Sequence, residues 1–150
     1  MKVIATNRKA YHQYQIMQKM EAGIELLGTE VKAIRLGNVN FADSYAAVEG
    51  EELYLVGLSV QPYEQGNIFN HPPKRRRRLL MHKGEIRKLK FETEGKGWVL
   101  VPLSVYLNDK RRIKVEVALA RGKRTYDKRE DLAKAEARRA IRAAMRSRKP

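Results

Sequence analysis

Gly97-Trp98-Val99-Leu100-Val101-Pro102-Leu103-Ser104-Val105-Tyr106-Leu107 is the longest apolar-rich stretch of the chain, and it is followed by Asn108-Asp109-Lys110 and then by Arg112 to Leu119. Gly97 to Tyr106 and Arg112 to Leu119 are rich in β-branched residues, and the Asn-Asp-Lys link is turn chemistry, so the three pieces predict a β-hairpin. At 11 residues the first run is too short to span a bilayer, and it contains Pro and Ser; a buried strand pair is the consistent reading.

Upstream, Asn40 to Val48 and Glu52 to Val60 read as two further strands around the tight polar turn Glu49-Gly50-Glu51. Ala22 to Leu27 alternates weakly and ends at Gly28, which predicts a strand. Thr29 to Leu36 carries apolar residues at helical spacing, with Thr29 placed to cap a short helix and Gly37 to close it. Residues 61–73 form a loop rich in Pro, Gly and Asn. Leu79 to Leu89 is expected to be helical, with Leu79, Met81 or His82, Ile86 and Leu89 on one face and Lys83, Arg87, Lys88 and Lys90 in water, although Gly84 costs about 1 kcal/mol relative to Ala. Five or six short antiparallel strands with interspersed helices suit a small closed barrel.

The chain has 150 residues, which suits one domain, and 32 Lys+Arg against 17 Asp+Glu leave a net charge of +15. An apolar content of 43% supports a modest core. A sequence pI near 10.2 points to a polyanionic partner, nucleic acid first and anionic membrane second. With no cysteine, a disulfide framework, a thiolate zinc site and a cysteine nucleophile are excluded. Residues 1–30 hold no apolar stretch of signal-peptide type, so a cytoplasmic location is expected.

The charge is uneven. Residues 121–150 hold 12 Lys+Arg against 4 Asp+Glu, a net +8, and the first 120 residues the other 20 against 13, a net +7. This predicts a mildly basic body over 1–120 carrying a strongly basic tail over 121–150. From Asp131 the tail is almost wholly Ala, Arg, Lys and Glu. Its apolar face is too thin to dock on the body, so it is expected to be disordered when free and helical once phosphates neutralise its arginines.

Three stretches point to nucleic acid. Lys74-Arg75-Arg76-Arg77-Arg78 places five cations side by side, which repel one another unless an anion lies against them, and the Arg fork matches phosphate. Asn7-Arg8-Lys9-Ala10-Tyr11-His12-Gln13-Tyr14 interleaves cations with rings that stack on unpaired bases. Arg121-Gly122-Lys123-Arg124-Thr125-Tyr126-Asp127-Lys128-Arg129 sets Tyr126 between phosphate-seeking cations, and Asp127 could equally cap a tail helix. Catalysis finds little support: His12, His71 and His82 are scattered, no phosphate-binding Gly-rich loop or G-x-S-x-G elbow is present, and Glu21, Glu25 and Glu30 read as surface or salt-bridging carboxylates. No cofactor and no metal site is expected.

Several segments in order, Asn7 to Tyr14, Glu21-Ala22-Gly23-Ile24, Gly28-Thr29-Glu30-Val31-Lys32, Asp43-Ser44-Tyr45, Pro62-Tyr63, Arg78-Leu79-Leu80, Val101-Pro102-Leu103, Gly122-Lys123-Arg124 and Asp127-Lys128-Arg129, resemble the small protein B (SmpB, or SsrA-binding protein) family from about Ile4 to Arg129. The resemblance implies a mainly β, OB-fold-like antiparallel barrel with short helices. It further implies an adaptor, not an enzyme, that binds the tRNA-like domain of tmRNA and, with elongation factor Tu, enters the A site of ribosomes stalled without a stop codon. On the resemblance, Asn7, Arg8, His12, Glu21, Glu30, Lys32 and Leu80 belong to the tmRNA surface, with Arg75, Arg76, Arg77, Arg78, His82 and Lys83 beside it. Gly122, Lys123, Arg124, Tyr126, Asp127, Lys128 and Arg129 would direct the tail to the decoding centre of the small-subunit rRNA and the empty mRNA path. The protein is expected to act as a monomer. Two other readings compete: a basic ribosomal protein that binds rRNA structurally, its tail threading the rRNA permanently, and a small RNA-processing hydrolase, for which no acid/base or metal site can be defended.

Overall fold

A computed structural model describes residues 1–62, 71–122 and 139–141. The elements run β1 (Lys2–Thr6), α1 (Arg8–Gln13), β2 (Tyr14–Ile24), α2 (Gly28–Arg35), β3 (Val39–Asn40), β4 (Tyr45–Glu49), β5 (Glu52–Val56), β6 (Ser59–Val60), β7 (Arg77–Leu80), α3 (Lys83–Lys96), β8 (Val99–Leu107) and β9 (Ile113–Gly122).

The β8–β9 hairpin is the spine of the fold, as its sequence predicts. It pairs from Val99↔Ala120 to Leu107↔Ile113. Asn108 Oδ1 closes the turn by accepting from the Lys110 and Arg112 amides at 3.0 and 2.9 Å. On its other edge β8 is shared: β1 takes the C-terminal half (Lys2↔Leu107) and β4 the N-terminal half (Ala46↔Leu100). The antiparallel order β8-β4-β5-β7-β2-β9 then returns to β8, which closes a barrel and removes the open edges a sheet of this size would otherwise expose. Pro102, which cannot donate to a ladder, sits where the β8–β9 register shifts, the tolerated place for proline in a strand.

Burial explains why β8 reads as an unbroken apolar run. Its inner face, with Leu100 and Val105, joins Leu53, Leu55, Leu79, Val115, Val117 and Leu119 in the barrel, capped by Ile34 of α2 and by Ile86 and Leu89 of α3. Its outer face, with Val101 and Leu103, packs with Ala118 and Ala120 under Ala10 of α1. A strand covered on both sides has no polar alternation to show.

Several expectations are corrected. Leu79–Leu89 is not one helix: Leu79 lies in β7, paired with Leu53 and Ile24, and α3 begins at Lys83. The sheet takes Arg77 and Leu79 inward and Leu80 outward, a period of two that overrides the helical spacing; only Ile86 and Leu89 keep the expected buried face. The Ala22–Leu27 strand ends at Ile24 and starts far earlier, at Tyr14, because the polar outward residues of β2 pair along β9 from Tyr14↔Gly122 to Gly23↔Lys114. The Asn40–Val48 and Glu52–Val60 strands form the expected hairpin, with Gly50 at φ 62°, but each is broken in two, at Asp43 (φ 61°) and Gly57 (φ 80°). Thr29 does not cap α2. Glu30 does, accepting from the Leu27 amide at 2.8 Å, while Thr29 Oγ1 pairs with His71 Nδ1 at 2.9 Å. Gly37, at φ 81°, closes α2 as predicted. The tail stretch from Lys123 to Arg129 lies outside the described residues, and β9 carries the barrel to Gly122.

Candidate nucleic-acid interface

The cation run leads from a turn at Lys74 into β7, which takes up Arg77 and Arg78, and its surroundings are already acidic. Arg77 points inward and is wholly buried, its Nε on Glu30 Oε2 at 2.5 Å, its Nη1 donating to the Leu58 and Arg75 carbonyls at 2.8 and 2.9 Å, and its Nη2 to Pro73 O at 3.1 Å. Arg75 reaches the other Glu30 oxygen at 2.6 Å. Arg76 meets Glu49 at 2.6 Å and lies 3.8 Å from the Tyr54 ring centre. Arg78 bridges Glu25 at 3.1 Å and Glu52 at 3.7 Å. The anions that relieve the repulsion are therefore the chain's own carboxylates. Arg77 and Glu30, both at zero exposure, sit in the core and not on an RNA-facing surface; Arg76 and Arg78 keep outward faces.

Burial by itself would raise the Glu30 pKa, but hydrogen bonds from Arg75 and the Leu27 amide, together with the Arg77 charge, hold the carboxyl below its ordinary range. Glu30 thus stays ionised and fastens α2 to β7.

The outer face of β2, β7 and β9 gathers several predicted residues into one patch. Gly23 pairs directly with Leu80, and a Cβ at Gly23 would stand 3.2 Å from Leu80 Cβ and 3.6 Å from Lys114 Nζ. The bare glycine lets Leu80, 44% exposed, lie across β2. Glu21 is on the same outward face two residues away and accepts the Tyr106 hydroxyl. Burial first, then Glu21 as hydrogen-bond partner and the Glu21 and Glu116 charges, push the Tyr106 phenol well above its usual value. His82 is exposed just before α3, and Lys83 approaches Glu51 at 3.9 Å. Lys32 is on the exposed side of α2.

Asn7, Arg8 and His12 are not in that patch. They lie on and beside α1, at the Tyr14 end of β2, where Gly122 also ends β9. Asn7 is fixed by its amide N–H to Leu103 O at 2.7 Å and its Nδ2 to Pro102 O at 2.9 Å; Arg8 and His12 are exposed. Sequence reasoning missed Tyr106 and Lys114, which pair in the β8–β9 ladder; the hairpin's own register, counted out from Asn108, is the signal that places them together. Among the described residues no three His, Asp or Glu side chains converge as metal ligands, and no helix is long and apolar enough to cross a membrane.

A family model described as "SmpB protein" matches residues 4–147. A protein of Carboxydothermus hydrogenoformans named SsrA-binding protein is 56% identical over 147 residues, covering 98% of both chains. One of the same name from Moorella thermoacetica is 54% identical over 147 residues, covering 98% of this chain and 95% of its own. A solved structure described as "tmRNA-SmpB: a journey to the center of the bacterial ribosome" matches with a TM-score of 0.68 at 49% identity, covering 82% of this chain and 85% of that one.

Proposed function

The chain belongs to the SmpB family, and from that premise we propose that it is a tmRNA-binding adaptor for trans-translation. It holds the tRNA-like domain of tmRNA and, with elongation factor Tu, brings the alanylated RNA to the A site of stalled ribosomes. It works in the cytoplasm, as a monomer, and performs no chemistry of its own. The observation that carries the reading is the family match over residues 4–147, alongside relatives named SsrA-binding proteins at more than half identity over nearly their whole length.

The geometry supports this reading through a division of roles. The body, 1–120 together with the last two residues of β9, is the RNA-binding barrel. Glu21 and Leu80 present an acceptor and an apolar surface to the RNA, with Arg76, Arg78, Lys32, His82 and Lys83 giving the phosphate attraction around them. Asn7, Arg8 and His12 extend the same contact at the other end of β2. Arg77, Glu30 and Arg75 act through the fold by holding α2 and β7 in register. The tail that follows Gly122, with Lys123, Arg124, Tyr126, Asp127, Lys128 and Arg129, reads the decoding centre and the empty mRNA path.

The test is to capture the protein from its own cells and sequence the RNA that comes with it. Enrichment of tmRNA at sub-ribosomal stoichiometry is expected; absence of tmRNA, or stoichiometric recovery with every small subunit, overturns the reading. Truncation after Gly122 should leave tmRNA binding intact and abolish tagging of stalled chains.

A further inference from the structure

Between α1, the 40–48 segment and the C-terminal half of α3 lies a cleft of about 890 Å³, within the size of small-ligand sites, roughly 300–1,000 Å³. Its floor is the outer face of β4 and β8. Ala46 pairs with Leu100 and both point into the barrel, so alternation turns Tyr45, Ala47 and Val99 outward. Tyr45 is 49% exposed and Val99 38%. Tyr14, Phe41, Tyr45 and Trp98 all line the cleft, more than a third of the aromatic residues in the chain.

The rim is cationic as well as aromatic. Arg8, Lys9 and Lys90 border the cleft against Asp43 and Glu94. Three other rings are covered by cations: Lys19 over Tyr11 at 5.4 Å, Arg76 over Tyr54 at 3.8 Å and, within the cleft, Lys96 over Trp98 at 4.5 Å. Tyr45 carries no such partner among the described residues. Asn7 spends its side-chain N–H on Pro102 O, which leaves its side-chain carbonyl as an acceptor beside the cleft. An uncovered ring on an apolar floor, with guanidinium and ammonium groups at the edge, is the arrangement that stacks an unpaired base while its phosphates meet the cations.

We infer that this cleft is a subsite for one unpaired nucleobase of the tRNA-like RNA, stacked on Tyr45, with Arg8 and Lys9 on the flanking phosphates. The inference rests on the adaptor reading above and adds to it a ligand position. A single RNA is the occupant because β2 joins the two ends of the surface: Tyr14 at the cleft and Glu21 in the Leu80 patch are seven residues apart, about 23 Å of strand, a span that one folded RNA bridges.

Trp98 is the sole tryptophan of the chain and lines the cleft, so its fluorescence reports occupancy. The full chain is titrated with a transcript of the tRNA-like domain and, separately, with a decoding-centre hairpin of small-subunit rRNA. The tRNA-like transcript should change Trp98 emission. Tyr45→Ala should lose that change and weaken binding about 5- to 100-fold, and Tyr45→Phe, which keeps the stacking face, should retain both. Unaltered binding and emission change in Tyr45→Ala overturn the inference, as does an emission change produced by the rRNA hairpin alone. Tight binding of the tRNA-like transcript with a silent Trp98 removes the cleft and leaves the adaptor reading standing; failure of that transcript to bind the wild-type chain removes both.

Discussion

Arg77 and Glu30 form an ion pair in which both side chains are wholly buried, and each also satisfies its other polar atoms: Arg77 on three backbone carbonyls, Glu30 on the Leu27 amide and Arg75. Two desolvated charges cost several kcal/mol each unless geometry of this kind offsets them. The pair joins residues 47 positions apart and so ties α2 to β7, the strand that the cation run enters at Arg77.

Removing one partner leaves the other charge buried and unmatched. Glu30→Gln should therefore cost about 3–5 kcal/mol, read as a lowered urea midpoint at unchanged slope. Because the folded-state pKa of Glu30 is lowered, its contribution is present above the unfolded carboxyl value, about 4.3, and is lost as pH falls through the folded value. Acid unfolding of the wild type should thus steepen below about pH 4, and Glu30→Gln should flatten that slope. An unchanged acid limb would refute the assignment.

Asp43 and Gly57 stand where the two strands of the first hairpin break, both in the left-handed region, and a Cβ at Gly57 would lie 2.7 Å from the Asp43 carbonyl oxygen. Backbone cannot yield cheaply there, so Gly57→Ala should cost about 1–3 kcal/mol. Asp43→Gly, which relieves a positive φ at a position aspartate tolerates, should change stability by less. Thermal unfolding of the two variants checks the order; equal effects would sink it.

What the sequence makes legible follows from where its partners lie. The β8–β9 hairpin can be read because apolar residues cover both faces and Asn108 supplies the turn, all within neighbouring residues. The Glu49-Gly50-Glu51 turn and the Gly37 stop are local for the same reason. The Leu79–Leu89 boundary is not local: its apolar spacing fits a helix, and only pairing with Leu53 and Ile24 makes Leu79 a strand residue. The cation run misleads in the same way, since nothing near Arg77 in the chain announces that Glu30 will meet it in the core. The resemblance proposes Glu21 and Leu80 separately, and it takes the Gly23↔Leu80 register to set them on one face.

Gly23 should then be a positioning residue for Leu80. A methyl there comes within 3.2 Å of Leu80 Cβ, tight enough to shift it by a few tenths of an ångström. Gly23→Ala should weaken tmRNA binding several-fold at a stability cost under about 1.5 kcal/mol, while Gly28→Ala, which meets nothing within 4 Å, should leave RNA affinity alone. Equal affinities for Gly23→Ala and wild type in a filter-binding titration would remove Gly23 from the RNA surface.

Tyr106 holds Glu21 from beneath: its hydroxyl donates to the carboxylate, and the ring is 6% exposed. Its phenol titrates higher folded than unfolded, where the value is about 10. A raised folded value means the stabilisation is complete below pH 10 and is lost as pH rises through the folded value, so alkaline unfolding should begin above about pH 10. Spectrophotometric titration should show one tyrosine that ionises only as the barrel opens, and Tyr106→Phe should abolish that step. The same substitution should cost about 1 kcal/mol of stability and, by letting Glu21 swing free, lower tmRNA affinity without altering the salt dependence, because no phosphate-neutralising cation is lost. A salt slope that changes with Tyr106→Phe would show that Tyr106 acts through the neighbouring Lys114 and not through Glu21.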